Sequence, residues 1–124
     1  DITLISWGQM APETLKAAAT LAADHGLSAE VIDPRTLCPF DYETVLRSVR
    51  KTGRCLVVSQ ACRTGSFTGE VAAQIQERAF DYLDAPVGRL GAQDGISPQS
   101  YVLEQAYLPN AALVVAAGRA LCGK

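Results

Sequence analysis

The residues able to do chemistry in this 124-residue chain are few and scattered. Asp94-Gly95 could open a diphosphate–magnesium motif, but no Asn follows at the distance a second metal ligand needs, so the pair reads as a turn. Gly65 and Gly69 flank a helix start, as in a loop that wraps phosphate. Their spacing fits neither GxGxxG nor a P-loop with its GK[ST] end, and they read as a loop that needs backbone freedom. Cys62 has one cationic neighbour, Arg63, which is thin support for an activated thiol, and it reads as an unreactive loop cysteine. His25 precedes Gly26 at a helix end, where a cation complements the helix dipole. No Ser or Cys nucleophile is recognisably paired with it. Cys38, Cys55, Cys62 and Cys122 contain no CxxC pair, and the lone His adds no companion ligand for zinc. From residues alone, no catalytic, cofactor-binding or metal-binding set is complete.

Asp81 and Asp84 form a different kind of candidate. They sit at the end of an expected long helix, where the dipole disfavours negative charge. Two readings stand side by side: a charge kept for a partner, and ordinary solvated surface.

The composition narrows the classes. Apolar residues make up 48% and charged residues 19%, which suits one globular domain with a single core. A net charge of −2 argues against a nucleic-acid or anionic-membrane surface, both of which need a basic field. No apolar run approaches the roughly 18 residues of a membrane span, and no signal peptide is visible. The cysteine pattern reads as reduced thiols in a cytoplasmic compartment. The chain opens on a strand, so the expectation is a domain, residues 1–124, cut from a longer protein.

The elements that must position these residues alternate. A strand over 2–7 ends at Gly8. A helix opens with Pro12 at its first position, carries Leu15, Ala18, Ala19 and Ala22 as its apolar stripe, and stops at Gly26. A second, buried strand covers 28–33. Pro34 and Pro39 then make a stiff bridge to Asp41, the expected N-cap of a helix whose Tyr42, Val45, Leu46 and Val49 fall at i, i+3, i+4, i+7. Gly53 ends it. A third strand over 55–59 is apolar on consecutive positions, as strands buried on both faces are. A loop over 60–67 leads to a long helix with Val71, Ala72, Ile75, Ala79 and Leu83 on one stripe. A weaker fourth strand spans 86–90, an irregular stretch 91–100, and a short helical turn 102–107. Pro109 and Asn110 start the last helix, through Leu121. This alternation predicts an α/β fold of three α/β/α layers: a doubly wound, mainly parallel sheet in the order 2-1-3-4. Its switch point lies between strands 1 and 3, where the loops 8–11 and 60–67 meet and where such sheets bind ligands.

One run carries a resemblance. Val31-Ile32-Asp33-Pro34-Arg35-Thr36-Leu37-Cys38-Pro39-Phe40-Asp41 resembles a signature of the C-terminal domain of the beta subunit of thiamine diphosphate-dependent 2-oxo acid dehydrogenases. Lys51-Thr52-Gly53-Arg54, Arg63-Thr64-Gly65-Ser66-Phe67, the run from Ala79 to Val87 and the run from Leu103 to Pro109 match the same family in order. The resemblance implies a transketolase C-terminal domain-like fold. It implies an enzyme that decarboxylates a 2-oxo acid, of the pyruvate, branched-chain or acetoin type, and passes the acyl group to a lipoyl arm. Thiamine diphosphate and magnesium would lie between other domains and not be bound here. This domain, inactive alone, would serve assembly. Its partners would be an alpha subunit, a second beta subunit and a small basic subunit-binding domain of the acyltransferase, received at Asp81 and Asp84. Family members often carry His-Glu-Ala-Pro after the third strand, where this chain has Ser59-Gln60-Ala61-Cys62. Two alternatives remain: a free-standing flavodoxin-like small-molecule-binding module, and the matching domain of a transketolase-like enzyme.

Overall fold

Residues 55–59 are buried without a break, and the molecule is arranged around them. The computed structural model describes residues 1–123. β1 (Ile2–Ser6), β2 (Ala29–Ile32), β3 (Cys55–Cys62) and β4 (Gly88–Ala92) form one parallel sheet in the order β2-β1-β3-β4, as the sequence predicts. Alternate side chains feed two cores. Ile2, Leu4, Leu56 and Val58 pack on one face with Met10, Ala17, Leu21 and Val114 of helices α1 (Met10–His25) and α5 (Ala111–Leu121). Ile5, Cys55 and Val57 pack on the other with Val45, Val49, Val71 and Ile75 of α2 (Tyr42–Thr52) and α3 (Phe67–Ala79). A short helix α4 (Tyr101–Tyr107) precedes α5. No helix among the described residues is long and apolar enough to cross a membrane.

Local chemistry sets most boundaries. Asp41 caps α2 by accepting from the Thr44 N–H at 3.0 Å, and Asn110 caps α5 by accepting from the Leu113 N–H at 3.1 Å. Gly53 closes α2 with φ +70°, a conformation glycine reaches without Cβ strain. In the bridge, Asp33 accepts from the Arg35 N–H at 3.0 Å, Arg35 takes φ +64°, and the Cys38–Pro39 peptide is cis.

Several expectations are corrected. Helix α1 starts at Met10, so Pro12 is its third residue, still in the first turn where a missing N–H is harmless. Its buried stripe is Met10, Thr14, Ala17 and Leu21, while Leu15 is 59% exposed. Met10 and Leu21 take the inner face, packed with Ile2, Leu4 and Val114. Gly118 of α5 makes room, since a Cβ there would stand 3.3 Å from Leu21 Cδ1. Strand β2 is a half-buried edge, because it pairs only with β1. β3 continues to Cys62, β4 is shifted to Gly88–Ala92, and α4 begins at Tyr101. Helix α3 stops at Ala79, and a 3₁₀ turn, Phe80–Tyr82, separates it from Leu83.

A hydroxyl network fastens α2 to the sheet. Thr3 Oγ1, fully buried, lies 2.7 Å from Ser48 Oγ and 2.8 Å from Thr52 Oγ1. Ser48 donates to Glu30 Oε2 at 2.7 Å, and Lys51 Nζ approaches the same oxygen at 3.3 Å. The Ser48 hydrogen bond, helped by Lys51, holds the Glu30 carboxyl below its ordinary value. A depressed carboxylate contributes stability above its unfolded pKa and loses it as pH falls through the folded one. Ser48→Ala is therefore expected to flatten the acid limb of stability against pH, below the ordinary Glu range. An acid limb as steep as the parent's in thermal melts at stepped pH would refute the coupling. At the β3–β4 junction, a Cβ on Gly91 would stand 2.6 Å from the Ala61 carbonyl oxygen and 3.1 Å from the Arg63 nitrogen. Gly91→Ala is expected to destabilise by roughly 1–3 kcal/mol, because backbone cannot yield as a side chain does. Urea unfolding checks this, and an unchanged midpoint contradicts it.

Candidate functional site

The switch point forms as expected, at the carboxyl ends of β1 and β3. Gln60 Nε2 donates to Gln9 Oε1 across it, tying the two outgoing segments together. A cleft of about 320 Å³ lies beside them, lined by Gln9, Met10, Glu13, Gln60, Gln105 and Asn110 among others. Glu13 is committed to structure. It pairs with Lys16 and accepts the Ala111 N–H at 3.1 Å, and these bonds, Lys16 first, hold its carboxyl low. The cleft thus offers carboxamides, which hydrogen-bond, and no nucleophile–base pair.

The scattered candidates resolve into structural roles. Asp94 accepts from both the hydroxyl and the N–H of Thr64, which holds its carboxyl low and pins the β4–α4 loop to the loop after β3. Asp94 and Gly95 form a bend there. Cys62 ends β3 instead of lying in a loop, with Sγ 3.1 Å from Tyr107 Oη, and Tyr107 also donates to the Gly95 carbonyl at 3.3 Å. The Cys62 contact raises the Tyr107 hydroxyl's pKa. Cys55 is fully buried, and desolvation pushes its thiol up, so it is a packing group. Gly65 takes φ +72° just before the Ser66 cap of α3, a use of backbone freedom. His25 lies in the last turn of α1.

Asp81 and Asp84 lie at a corner that the sequence reading described incompletely. Asp81 is exposed on the 3₁₀ turn, and Asp84 follows it. Both lie past the end of α3 at Ala79, Asp81 by two residues and Asp84 by five. Asp84 is answered within the fold. Its Oδ2 lies 3.3 Å from Arg54 Nη1, and its N–H donates to the Gly53 carbonyl at 2.8 Å. A Cβ on Gly53 would stand 2.6 Å from that Oδ2. Sequence reasoning missed Arg54 as the partner, although it had singled out the Lys51-Thr52-Gly53-Arg54 run. The side chain of Asp84 is still 57% exposed. Beside it, Arg50 lies over the Tyr82 ring at 5.5 Å and donates to the Arg78 carbonyl at 3.3 Å.

Thr64 occupies one acceptor site on each oxygen of the Asp94 carboxylate, and no cluster of three or more His, Cys, Asp or Glu able to hold a metal ion occurs among the described residues.

Comparison with known proteins bears on the whole chain. A family described as "Transketolase, C-terminal domain" matches residues 1–114. A pyruvate dehydrogenase E1 component subunit beta of Staphylococcus epidermidis is 49% identical over 110 residues, covering 89% of this chain and 33% of that protein. The protein of the same name from Bacillus subtilis is 44% identical over 110 residues, with the same coverage. The one from Rhizobium meliloti is 43% identical over 124 residues, covering all of this chain and 27% of that protein. The chain thus spans a third or less of the length of these curated relatives. The four-stranded parallel sheet in the order β2-β1-β3-β4 agrees with that match, and the chain belongs to the transketolase C-terminal domain family.

Proposed function

We propose that this chain is the carboxyl-terminal assembly domain of a longer beta subunit, part of the decarboxylating first component of a 2-oxo acid dehydrogenase complex. The observation that carries the reading is the match of nearly the whole chain to about a third of proteins named pyruvate dehydrogenase E1 component subunit beta. In this reading the full enzyme, located in the cytoplasm, oxidatively decarboxylates a 2-oxo acid and transfers the acyl group to lipoyl. Pyruvate is the substrate the relatives' names favour. In the same reading, thiamine diphosphate and magnesium are held by other domains of the full enzyme. The domain itself supplies surfaces: to an alpha subunit, to a second beta subunit, and through Asp81 and Asp84 to a small basic subunit-binding domain of the acyltransferase. Carboxylates exposed at a corner speed encounter with a basic partner through long-range attraction.

The reading frame upstream of Asp1 tests the proposal directly. An in-frame pyrimidine-binding domain is expected there, and a start codon immediately before Asp1 would overturn it. The 124-residue chain alone is expected to show no heat of binding with micromolar thiamine diphosphate and magnesium; saturable binding in that titration contradicts the assignment of the cofactor to other domains. In the full enzyme, Asp84→Ala is expected to weaken docking of the subunit-binding domain by up to about 1 kcal/mol, the scale of an exposed ion pair, and more at low salt than at high salt. Equal affinities of parent and variant at low salt would return Asp84 to solvated surface.

A further inference from the structure

A parallel sheet of this order leaves a crevice for ligands at the carboxyl ends of β1 and β3. The cleft there holds about 320 Å³, near the lower end of the roughly 300–1,000 Å³ of small-molecule sites. Two kinds of group line it. Met10, Pro12, Leu108 and Pro109 are apolar, and Gln9, Gln60, Gln105 and Asn110 are carboxamides. Glu13 is the one ionisable group of the lining, and each of its oxygens already accepts one bond, from Lys16 and from the Ala111 N–H. The carboxamides keep bonding capacity. The Gln60–Gln9 bond uses one amide N–H and one amide oxygen. Whichever way round the two amides are turned, the pair still offers one oxygen as acceptor and one NH2 group as donor. Asn110 spends its Oδ1 on the Leu113 N–H and keeps its NH2 group. Gln105, exposed on α4, adds a further donor and acceptor.

This set discriminates by charge. The lining contains no Lys, Arg or His, so a phosphate or carboxylate entering it would lose water without gaining a counterion. A cation would find only Glu13, already paired with Lys16. An uncharged flat ring meets neither cost. Its faces can lie on the apolar side chains, and its edge can meet the amides. A carboxamide recognises such an edge by one donated and one accepted bond, as glutamine and asparagine do with adenine. We infer that Gln9, Gln60, Gln105 and Asn110 form a binding site for an uncharged heterocycle with an amide-type edge, a nucleobase or a nicotinamide ring. Met10, Pro12, Leu108 and Pro109 supply its apolar contacts. The site is independent of the docking reading above.

The test is calorimetric titration of the full-length protein, with thiamine diphosphate and magnesium present so that the cofactor site of that reading is filled. The probes are uridine, adenosine and nicotinamide, with the two nucleoside 5′-monophosphates and nicotinate as charged counterparts. Saturable binding of at least one uncharged probe is expected, no weaker than that of its charged counterpart. Preference for a nucleoside assigns the site to a nucleobase, and preference for nicotinamide assigns it to that ring. Gln60→Glu keeps an acceptor for Gln9 but removes a donor and adds a charge, and Gln105→Leu removes an exposed amide at little risk to the fold. Each is expected to weaken the bound probe about fivefold, the scale of one hydrogen bond, with the melting temperature of Gln105→Leu unchanged. Absence of saturable binding by every uncharged probe would overturn the site. Parent-like affinity of either variant, or tighter binding of a charged counterpart, would also overturn it.

Discussion

The rest of the molecule depends on burial of the central strand pair from both sides. β1 and β3 are flanked by neighbours on each edge, so their backbone groups are paired within the sheet. Their side chains alternate between two cores, which forces helices onto both faces and makes three layers. Thr3 is one of three buried polar residues of this pair, with Ser6 and Ser59, and ladder bonds cannot satisfy its side chain. Its hydroxyl is met by Ser48 and Thr52, which selects one seating of α2 among the many that apolar contact would tolerate.

That seating has consequences at the far end of α2. The helix stops at Gly53 in a left-handed turn, and the chain enters β3 through Arg54. The corner thus formed receives the segment after α3, with the Gly53 carbonyl bonded to Asp84 and Arg54 facing its carboxylate. A cap residue chosen for its backbone freedom also leaves the room an acidic side chain needs. Stability of α2 and presentation of Asp84 are therefore linked through one glycine.

The two ends of the sheet differ in character. The switch-point end is closed by internal hydrogen bonds: Gln60 to Gln9, Glu13 to Ala111, Thr64 to Asp94. Gln9, Gln60, Glu13 and Asp94 are each hydrogen-bonded within the fold there. The corner at Asp84 is open, with Phe80 and Tyr82 exposed beside the charge.

Much was legible in the sequence by itself, for local reasons. The alternation of apolar runs announced strands and helices, and consecutive burial at residues 55–59 followed from their unbroken apolar character. Asp41, Asn110, Gly26 and Gly53 marked helix ends because capping and left-handed turns depend on one residue's own chemistry. The strand order followed from the alternation together with general rules of handedness. What tertiary structure decided was every question that two distant segments settle jointly. On the inner face of α1, Leu21 packs where Gly118, far along the chain, leaves space, and alanines on several faces gave no periodicity to choose by. The edge position of β2 made it half-buried although its residues suit an interior strand. Asp84 looked like a charge opposed only by its own helix, but its carboxylate is answered by Arg54, thirty positions earlier. Helix dipoles and caps act over one turn and can be read from neighbours in sequence; an ion pair between segments exists only once the sheet has brought them together.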